Sequence, residues 1–245
     1  MRNIASIAIL AACIAVAATA QTSVIQPTGP SPAKETKTFV LQSGGDLKIT
    51  NVNGGIKITA HDKDEVTLTA TFKPSRRNNE YPRIEVDSKN NYLELIVKYP
   101  KEKNEAGSCE MELSVPRRIN SKIITVNGGI ALNEINGSHK LRAVNGGISF
   151  DIATGKVEAS TVNGGIVAIQ KNEGNVEAST VNGGIILTLS DPNGTLSAST
   201  VNGEVTLNTP GARDITKKQS VINATFGNGD AKIKLTTVNG SIVVQ

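Results

Sequence analysis

Glu158 and Glu177 are the side chains whose type and spacing come nearest to catalytic chemistry. Each is the second residue of the same eight-residue segment, Val-Glu-Ala-Ser-Thr-Val-Asn-Gly. Two neighbouring carboxylates are what a polysaccharide-active enzyme uses as its general acid and its base or nucleophile. A solvated face on which Lys140 neutralises Glu158 explains the same residues, and exposed pairs of this kind are common. We favour the solvated face and keep the enzyme as the alternative.

Other reactive residue types are scattered along the sequence. Cys109 has no histidine near it, which favours a small half-buried residue over a nucleophile. His61 and His139 are far apart in sequence and in period, which disfavours a histidine metal site. Asp62-Lys63-Asp64-Glu65 and Asp191-Pro192-Asn193-Gly194 each occur once, as ordinary turns do. We therefore predict no catalytic, cofactor-binding or metal-binding residues.

Composition narrows the class of partner. The chain has no Trp, three Tyr and four Phe, and no aromatic column repeats, so a stacking platform for sugars is missing from the repeats. Without Arg2, 25 Lys and Arg stand against 22 Asp and Glu, and this formal charge of +3 is spread along the whole length. Such a balance is not the clustered basic footprint of a nucleic-acid-binding protein. A protein or glycan of the cell envelope or surface remains as the expected partner.

The first twenty residues indicate export. Arg2 is followed by an apolar run over 4–18 that is too short and too rich in Ala for a membrane span. Ala18-Thr19-Ala20 then supplies the small-x-small pattern that a signal peptidase accepts. We predict a signal peptide over 1–20 and a periplasmic or secreted mature chain that begins at Gln21 and has no stable membrane span.

A lipoprotein is the alternative reading of the same segment. Leu10-Ala11-Ala12-Cys13 matches a lipoprotein processing site, at which Cys13 would be acylated. The residues after Cys13 are still apolar, however, whereas a tethered chain normally continues with a polar spacer. If Cys13 is removed with the signal, Cys109 is the only cysteine left, and no intramolecular disulfide can form.

Val-Asn-Gly recurs through most of the sequence. Its Val residues are at positions 52, 126, 144, 162, 181, 201 and 238, so the central spacings are 18, 18, 19 and 20. The flanking intervals of 74 and 37 are close to four and two periods, with Ile222-Asn223-Ala224 as a degraded copy in the second. Apolar and polar residues alternate on both sides of each copy, which predicts two short strands joined at Asn-Gly.

Two architectures satisfy this pattern, because Asn-Gly is suited to a tight hairpin turn or to the corner of a coil. The first is an antiparallel hairpin meander, and the second is a single-stranded β-solenoid with coils of roughly 18–20 residues. Identical residues gain from stacking on their copies ~4.8 Å above and below, so the repetition favours the solenoid. It predicts an interior column of the Val residues and a ladder of Asn127, Asn145, Asn163, Asn182 and Asn202.

We divide the mature chain into three parts. Residues 21–37 are predicted to be a flexible leader, 38–125 to be irregular β coils that cap the array, and 126–245 to be the regular array, continuous with 38–125 as one domain. Within the array, Val167 and Ile186 stand where the alternation predicts solvent. We expect them to pack against the C-terminal segment rather than to form an exposed apolar strip.

With its repeats aligned, the sequence resembles a "putative adhesin" family of unknown function, whose members carry a signal peptide and tandem strand-Asn-Gly-strand coils. It is also similar to the head domain of auto-transporter adhesins. The matching segments are 47–58, Leu113-Ser114-Val115-Pro116 and the array to Val244. The resemblance implies a β-solenoid outside the cytoplasm that contacts other surfaces or macromolecules, and it brings no site residues. We therefore expect an exported, non-enzymatic interaction or scaffold protein.

Overall fold

A computed structural model describes residues 21–76, 79–100, 107–152, 154–171 and 174–245, and the strands there form two sheets. In spatial order, sheet A contains β1 (Gln21–Ile25), β6 (Arg83–Lys89), β7 (Tyr92–Lys98), β3 (Asp46–Thr50), β9 (Asn120–Ile124), β11 (Gly137–Arg142), β13 (Gly155–Asn163), β15 (Gly174–Asn182), β21 (Ala231–Asn239), β17 (Gly194–Asn202), β20 (Val221–Phe226) and β19 (Arg213–Lys218). Sheet B contains β18 (Val205–Leu207), β22 (Ile242–Val244), β16 (Ile185–Ser190), β14 (Ile166–Lys171), β12 (Ile148–Ile152), β10 (Ile130–Asn133), β4 (Ile56–His61), β8 (Ser108–Pro116), β5 (Glu65–Lys73) and β2 (Ala33–Val40).

From β9 to β16 the chain winds as a solenoid, and each coil contributes one strand to each sheet. Successive strands of a sheet are parallel and in register, as in the pairs Val157 with Val176 and Ile166 with Ile185. The predicted β-solenoid is therefore confirmed, and its coils have the predicted length. The alternative of an antiparallel meander is wrong for these coils, because their neighbouring strands run in the same direction.

The core lies between the two sheets and is continuous along the stack. The inward positions of each strand are apolar and fully or almost fully buried, for example Val157, Ala159, Ile166 and Ala168. Burial of one Val or Ile side chain stabilises the fold by about 1.5–3 kcal/mol, and each inward residue packs on its copies in the adjacent coils. Stability therefore depends on contacts between coils rather than within one coil.

The Val of each Val-Asn-Gly copy, predicted to be interior, lies on the outer surface. Val162 is 40% exposed and Val201 is 70% exposed. Strand β13 continues unbroken to Asn163, so the alternation that buries Val157 and Ala159 also buries Thr161 and turns Val162 outward. The Thr161 hydroxyl donates a hydrogen bond to the carbonyl oxygen of Gly146 at 2.8 Å. The same buried bond recurs at Thr180, Thr200 and Thr237.

The last Val-Asn-Gly copy does not lie at the end of the stack. β21 lies between β15 and β17, and β22 lies between β16 and β18. Residues 208–230 leave the coil after β18 and form the hairpin β19–β20, which pairs antiparallel with β17. The 37-residue interval is therefore not two stacked periods. Ile222-Asn223-Ala224, predicted to be a degraded coil, instead belongs to an antiparallel strand without a corner.

The 74-residue interval is likewise not four stacked periods. β3 pairs with β9, and β4 pairs with β10, so the first and second copies are neighbours in space. Most of the intervening residues build β5, β6, β7 and β8, of which β5 and β6 pair antiparallel with their neighbours. A long connection can have a length close to a multiple of the coil length. The spacing of the Val-Asn-Gly copies alone therefore does not distinguish such a connection from stacked coils.

Residues 21–37, predicted to be a flexible leader, contain β1 and the first part of β2. β1 pairs antiparallel with β6, and β2 pairs antiparallel with β5. Ile25 and Ala33 are buried at 4% and 2% exposure, which gives each strand an apolar anchor in the core. The prolines lie in the connection between β1 and β2, and both strands are nevertheless part of the folded domain.

Candidate interaction surfaces

Glu158 and Glu177 lie in one outward row on sheet A and are register partners on β13 and β15, as predicted. Each carboxylate has a lysine beside it. Lys140 Nζ is 3.1 Å from Glu158 Oε2, Lys156 Nζ is 2.7 Å from Glu158 Oε1, and Lys234 Nζ is 3.2 Å from Glu177 Oε1. The row therefore consists of exposed ion pairs, two of them across neighbouring strands and one, between Lys156 and Glu158, within β13.

The two lysines decide what Glu158 can do. Hydrogen bonds from Lys156 and Lys140 lower the pKa of Glu158 to about 2, so this carboxylate is ionised at neutral pH. A general acid must hold its proton near the working pH, usually because burial raises its pKa. The depression around Glu158 and Glu177 has a volume of about 210 Å³, below the ~300–1,000 Å³ of typical ligand pockets. The arrangement suits neutralised surface charge better than glycoside hydrolysis.

Cys109 and His139 are both interior residues. Burial raises the pKa of the fully buried Cys109 thiol to about 12, so the thiol stays protonated and is a poor nucleophile. His139 is 3% exposed, its Nδ1 lies 2.9 Å from Ser121 Oγ, and burial lowers its pKa to about 4. His61 lies apart from it at the end of β4, where its Nδ1 accepts a hydrogen bond from Lys63 N. The described residues contain no cluster of three or more His, Cys, Asp or Glu placed to hold a metal ion.

The Asn of each Val-Asn-Gly copy stacks on the next to form a ladder of side-chain amides. In spatial order the ladder is Asn53, Asn127, Asn145, Asn163, Asn182, Asn239 and Asn202, and each Nδ2 donates to the preceding Oδ1 at 2.8–2.9 Å. The predicted ladder is confirmed for its five members. Sequence order could not place Asn53 directly beside Asn127, or Asn239 between Asn182 and Asn202.

Tyr99 covers the Asn53 end of this ladder. Its Oη lies 2.6 Å from Asn51 Oδ1 and accepts a hydrogen bond from Asn53 N at 2.9 Å. Burial raises the pKa of this phenol above its ordinary value, so it remains protonated. This contact was not predictable from the repeat, because Tyr99 stands far from it in the irregular N-terminal half.

The outer face of sheet B carries an apolar strip, which we define as Val167, Ile169, Ile186 and Val243. Val167 is 48% exposed, and Ile186 is 41% exposed. The C-terminal segment was predicted to cover these side chains, but β22 pairs edge to edge with β16 and places Val243 beside Ile186. The segment therefore widens the strip rather than covering it.

A groove runs across sheet B from this strip toward β8. It has a volume of about 590 Å³, and its floor is made by the second glycine of successive corners and by small side chains. Val167 stands at one end of the groove, and Lys57 and Glu112, register partners on β4 and β8, stand at the other. The groove is thus apolar at one end and charged at the other. Its floor residues are Gly55, Gly129, Ala131, Gly147, Ser149 and Gly165.

The fold and the repeated corners agree with a comparison to known families, in which the family Toastrack DUF4097 matches residues 33–245. The chain belongs to this family. The match spans β2 to β8 as well as the array, so the Toastrack domain includes the part of the chain between the first and second Val-Asn-Gly copies. The resemblance predicted from the sequence is confirmed.

Three solved structures are similar to the Toastrack chain at low sequence identity. A "putative cell adhesion protein" from Clostridium sporogenes has a TM-score of 0.49 and 14% identity, with 86% of this chain and 98% of that chain covered. A "putative adhesin" from Bacteroides fragilis has a TM-score of 0.34 and 12% identity, with 90% and 100% covered. A "putative lipid binding protein" from Parabacteroides distasonis has a TM-score of 0.27 and 11% identity, with 90% and 99% covered.

A search of curated proteins finds no match to this Toastrack sequence. Across the described part of the chain, the structure has no helix long and apolar enough to cross a membrane.

Proposed function

We propose that this protein is an exported, non-enzymatic interaction or scaffold protein that binds a protein or glycan of the cell envelope or surface through the outer face of sheet B. The observation that carries the proposal is the uncovered apolar strip beside the groove. Contiguous apolar side chains on the surface of a folded protein commonly mark a binding site. The first twenty residues support export, because they have the pattern of a cleaved signal.

The geometry of sheet B suits an elongated partner. Val167, Ile186 and Val243 are register neighbours on β14, β16 and β22, so their side chains form a straight row perpendicular to the strands. Backbone hydrogen bonds to both neighbouring strands fix the spacing of the row at ~4.8 Å. A rigid row loses little conformational entropy when it binds, which favours a surface used for contact.

The non-enzymatic part of the proposal depends on Glu158. Its two lysine partners keep it ionised, and Glu177 is neutralised by Lys234. Glycan turnover by the purified domain that is lost in Glu158→Gln would defeat this part of the proposal. Equal background turnover by the parent and the variant is the expected result.

The binding surface can be tested with two matched double variants. Val167→Ser with Ile186→Ser replaces the two most exposed side chains of the strip. Val162→Ser with Val181→Ser replaces two Val side chains of 39–40% exposure on the opposite sheet of the same coils. Binding to envelope extracts and to a glycan array is compared for both variants and the parent. We expect the first variant to lose binding severalfold and the second to bind like the parent. Equal binding by all three proteins would refute the proposed surface.

Export is tested separately by the N-terminus of the mature protein. Mass spectrometry of the chain recovered from the producing cell should give a first residue of Gln21. An acylated Cys13 as first residue would replace the secreted form with a lipoprotein, and an intact Met1 would refute export.

A further inference from the structure

The C-terminal coil, residues 231–245, is inserted between two coils that precede it in the sequence. β21 is paired along most of its length with β15 on one side and with β17 on the other. β22 is paired with β16 and β18 in the same way. The two coils that follow each other in the chain, 174–190 and 194–207, are therefore separated by this segment in both sheets.

The inserted coil completes every repeated feature of its neighbours. Ile233, Leu235, Ile242 and Val244 fill the interior columns and are at most 3% exposed. Asn239 joins Asn182 to Asn202 in the amide ladder, with both bonds at 2.8–2.9 Å. Without residues 231–245, coils 174–190 and 194–207 would face each other with unpaired edges and an open core. The slot is thus complementary to this one segment of the chain.

A short crossing connects the inserted coil to the rest of the chain. Phe226 and Ala231 are both register partners of Gly194, on its two sides, so residues 227–230 pass over the beginning of β17. Asn193 holds this crossing in place. Its Oδ1 accepts hydrogen bonds from Asn228 N at 2.8 Å and from Gly229 N at 3.2 Å. Among the contacts of the described residues, those of the crossing are the ones that require the inserted coil to come from the same chain.

We propose that residues 231–245 exchange between two copies of this chain, so that each copy fills the slot of the other. Every contact of the slot is reproduced when an identical segment enters it, because its neighbours in β15, β16, β17 and β18 are the same. Only the crossing at 227–230 must open. Reciprocal exchange of an identical element is a route to dimers that needs no new surface, and a short hinge favours it.

Cysteine pairs distinguish exchange from ordinary contact. Ser179 on β15 and Thr236 on β21 are register partners on the outer face. One copy carries Ser179→Cys and a second carries Thr236→Cys, and the two are unfolded together, refolded at high concentration and then oxidised. In an exchanged dimer the two introduced thiols are adjacent and form a covalent heterodimer. In unexchanged chains they lie on different molecules.

The matched control replaces Ser179→Cys by Ser160→Cys. Ser160 occupies the same row one coil further away, as the register partner of Ser179, so it is not adjacent to position 236 in either form. We expect the covalent heterodimer to be severalfold more abundant with Ser179→Cys than with Ser160→Cys. Equal yields would overturn the proposal. If a cysteine variant fails to fold, size-exclusion chromatography of the refolded parent decides. A dimer that persists on dilution supports exchange, and monomer at every concentration overturns it.

A second pair of variants tests the hinge. Asn193→Ala removes hydrogen bonds that the crossing makes only in the unexchanged chain, so the dimer fraction should rise severalfold. Asn175 Oδ1 accepts a hydrogen bond from Lys232 N at 2.8 Å, and that bond forms whichever copy supplies β21. Asn175→Ala should therefore lower the melting temperature without a change in dimer fraction. An equal rise in dimer for both variants would contradict the role of the crossing.

Discussion

The two corners of the solenoid form their turns differently. The Asn-Gly corner, from sheet A to sheet B, repeats the same residues in each coil and is joined by the amide ladder. The opposite corner, from sheet B back to sheet A, shares a glycine at the start of the next strand, as in Gly137, Gly155 and Gly174, but its other residues vary from coil to coil. Glu134 and Asp191 both have positive φ and each begins a loop of three residues, whereas only two residues separate β12 from β13 and β14 from β15. One corner therefore sets the spacing between coils, and the other absorbs differences in coil length.

The long connections follow the same division. The chain leaves the stack at the end of β4 before β5 and at the end of β18 before β19, and both points are at the opposite corner. Neither departure interrupts the Asn-Gly ladder, in which Asn53 stacks on Asn127 and Asn239 fills the place between Asn182 and Asn202. The Asn-Gly corner thus keeps the same geometry from coil to coil because the long connections leave the stack at the opposite corner.

The largest effect is expected from a charge placed in the core, which lies between the two sheets and is bounded by both corners. Ile166→Asp places an unpaired carboxylate at a fully buried position of β14 between two interior neighbours, Ile148 and Ile185. We expect loss of cooperative unfolding over several coils, visible by circular dichroism and urea titration. Val167→Asp, one residue along on the exposed face, is the control. A melting curve for Ile166→Asp like that of the parent would show that this column is not interior.

At the Asn-Gly corner, the first glycine should tolerate an added methyl group far less than the second glycine. A Cβ on Gly164 would lie 2.3 Å from the carbonyl oxygen of Gly146, whereas a Cβ on Gly165 would lie 3.3 Å from that of Gly184. Gly164→Ala must separate two stacked backbones, and we expect a loss of about 3 kcal/mol. Gly165→Ala should lose much less. Equal losses by chemical denaturation would mean that close backbone stacking does not set the coil spacing.

His139, at the start of β11 just after the opposite corner, should make stability depend on acid. The pKa of His139 is near 6.5 in the unfolded chain and about 4 in the folded chain, where the imidazole is buried, so the unfolded state is protonated first as pH falls. The contribution is fully present above pH 6.5 and is lost as pH falls toward 4, which amounts to about 2 kcal/mol by pH 5.

This dependence can be isolated with His139→Leu, which cannot be protonated. Urea titrations at pH 7 and pH 5 should show a smaller difference for the variant than for the parent. The same difference in both proteins would assign the acid sensitivity to other groups, such as the paired carboxylates.

The smallest effect is expected for single ladder amides. Asn163→Ala removes hydrogen bonds to Asn145 and Asn182, and we expect a loss of about 1–2 kcal/mol because both bonds are exposed to solvent. Asn136→Ala, at the opposite corner, removes one bond from Thr154 N and should lose about half as much. If Asn136→Ala is the more destabilising change, the ladder does not distinguish the two corners.

The fold was predictable where the same residue type recurs at the coil length and also suits its position in the coil. Leu and Ile at inward positions, and Asn at the corner, recur at the coil length and therefore predict both strands and their stacking. The exposure of Val162 was predicted wrongly, although alternation from Val157 through Thr161 implies it. The repetition of the Val residues favoured an interior column, but the Thr before each Val is buried instead, and its hydroxyl is satisfied there by donating to a stacked carbonyl.

The order of the coils in the stack could not be predicted from the sequence, because all copies of the repeat can form the same backbone hydrogen bonds. Nothing in Ile233 or Ile242 states which two coils they separate, and that follows only from the length and path of residues 208–230. For the same reason the apolar strip was visible in the sequence as Val167 and Ile186, but its uncovered state was not. Whether a segment covers a face or extends it depends on a register that the sequence does not specify.

Stacking of identical coils also makes the length of this protein a separately adjustable quantity. Residues 145–162 begin and end at equivalent corner positions and contact only the coils on either side. A tandem duplication of this stretch would move the two ends of the rod apart by one layer, ~4.8 Å, and would leave the structure of each end unchanged. The length of such a molecule can therefore change by whole layers through the duplication of one short repeat.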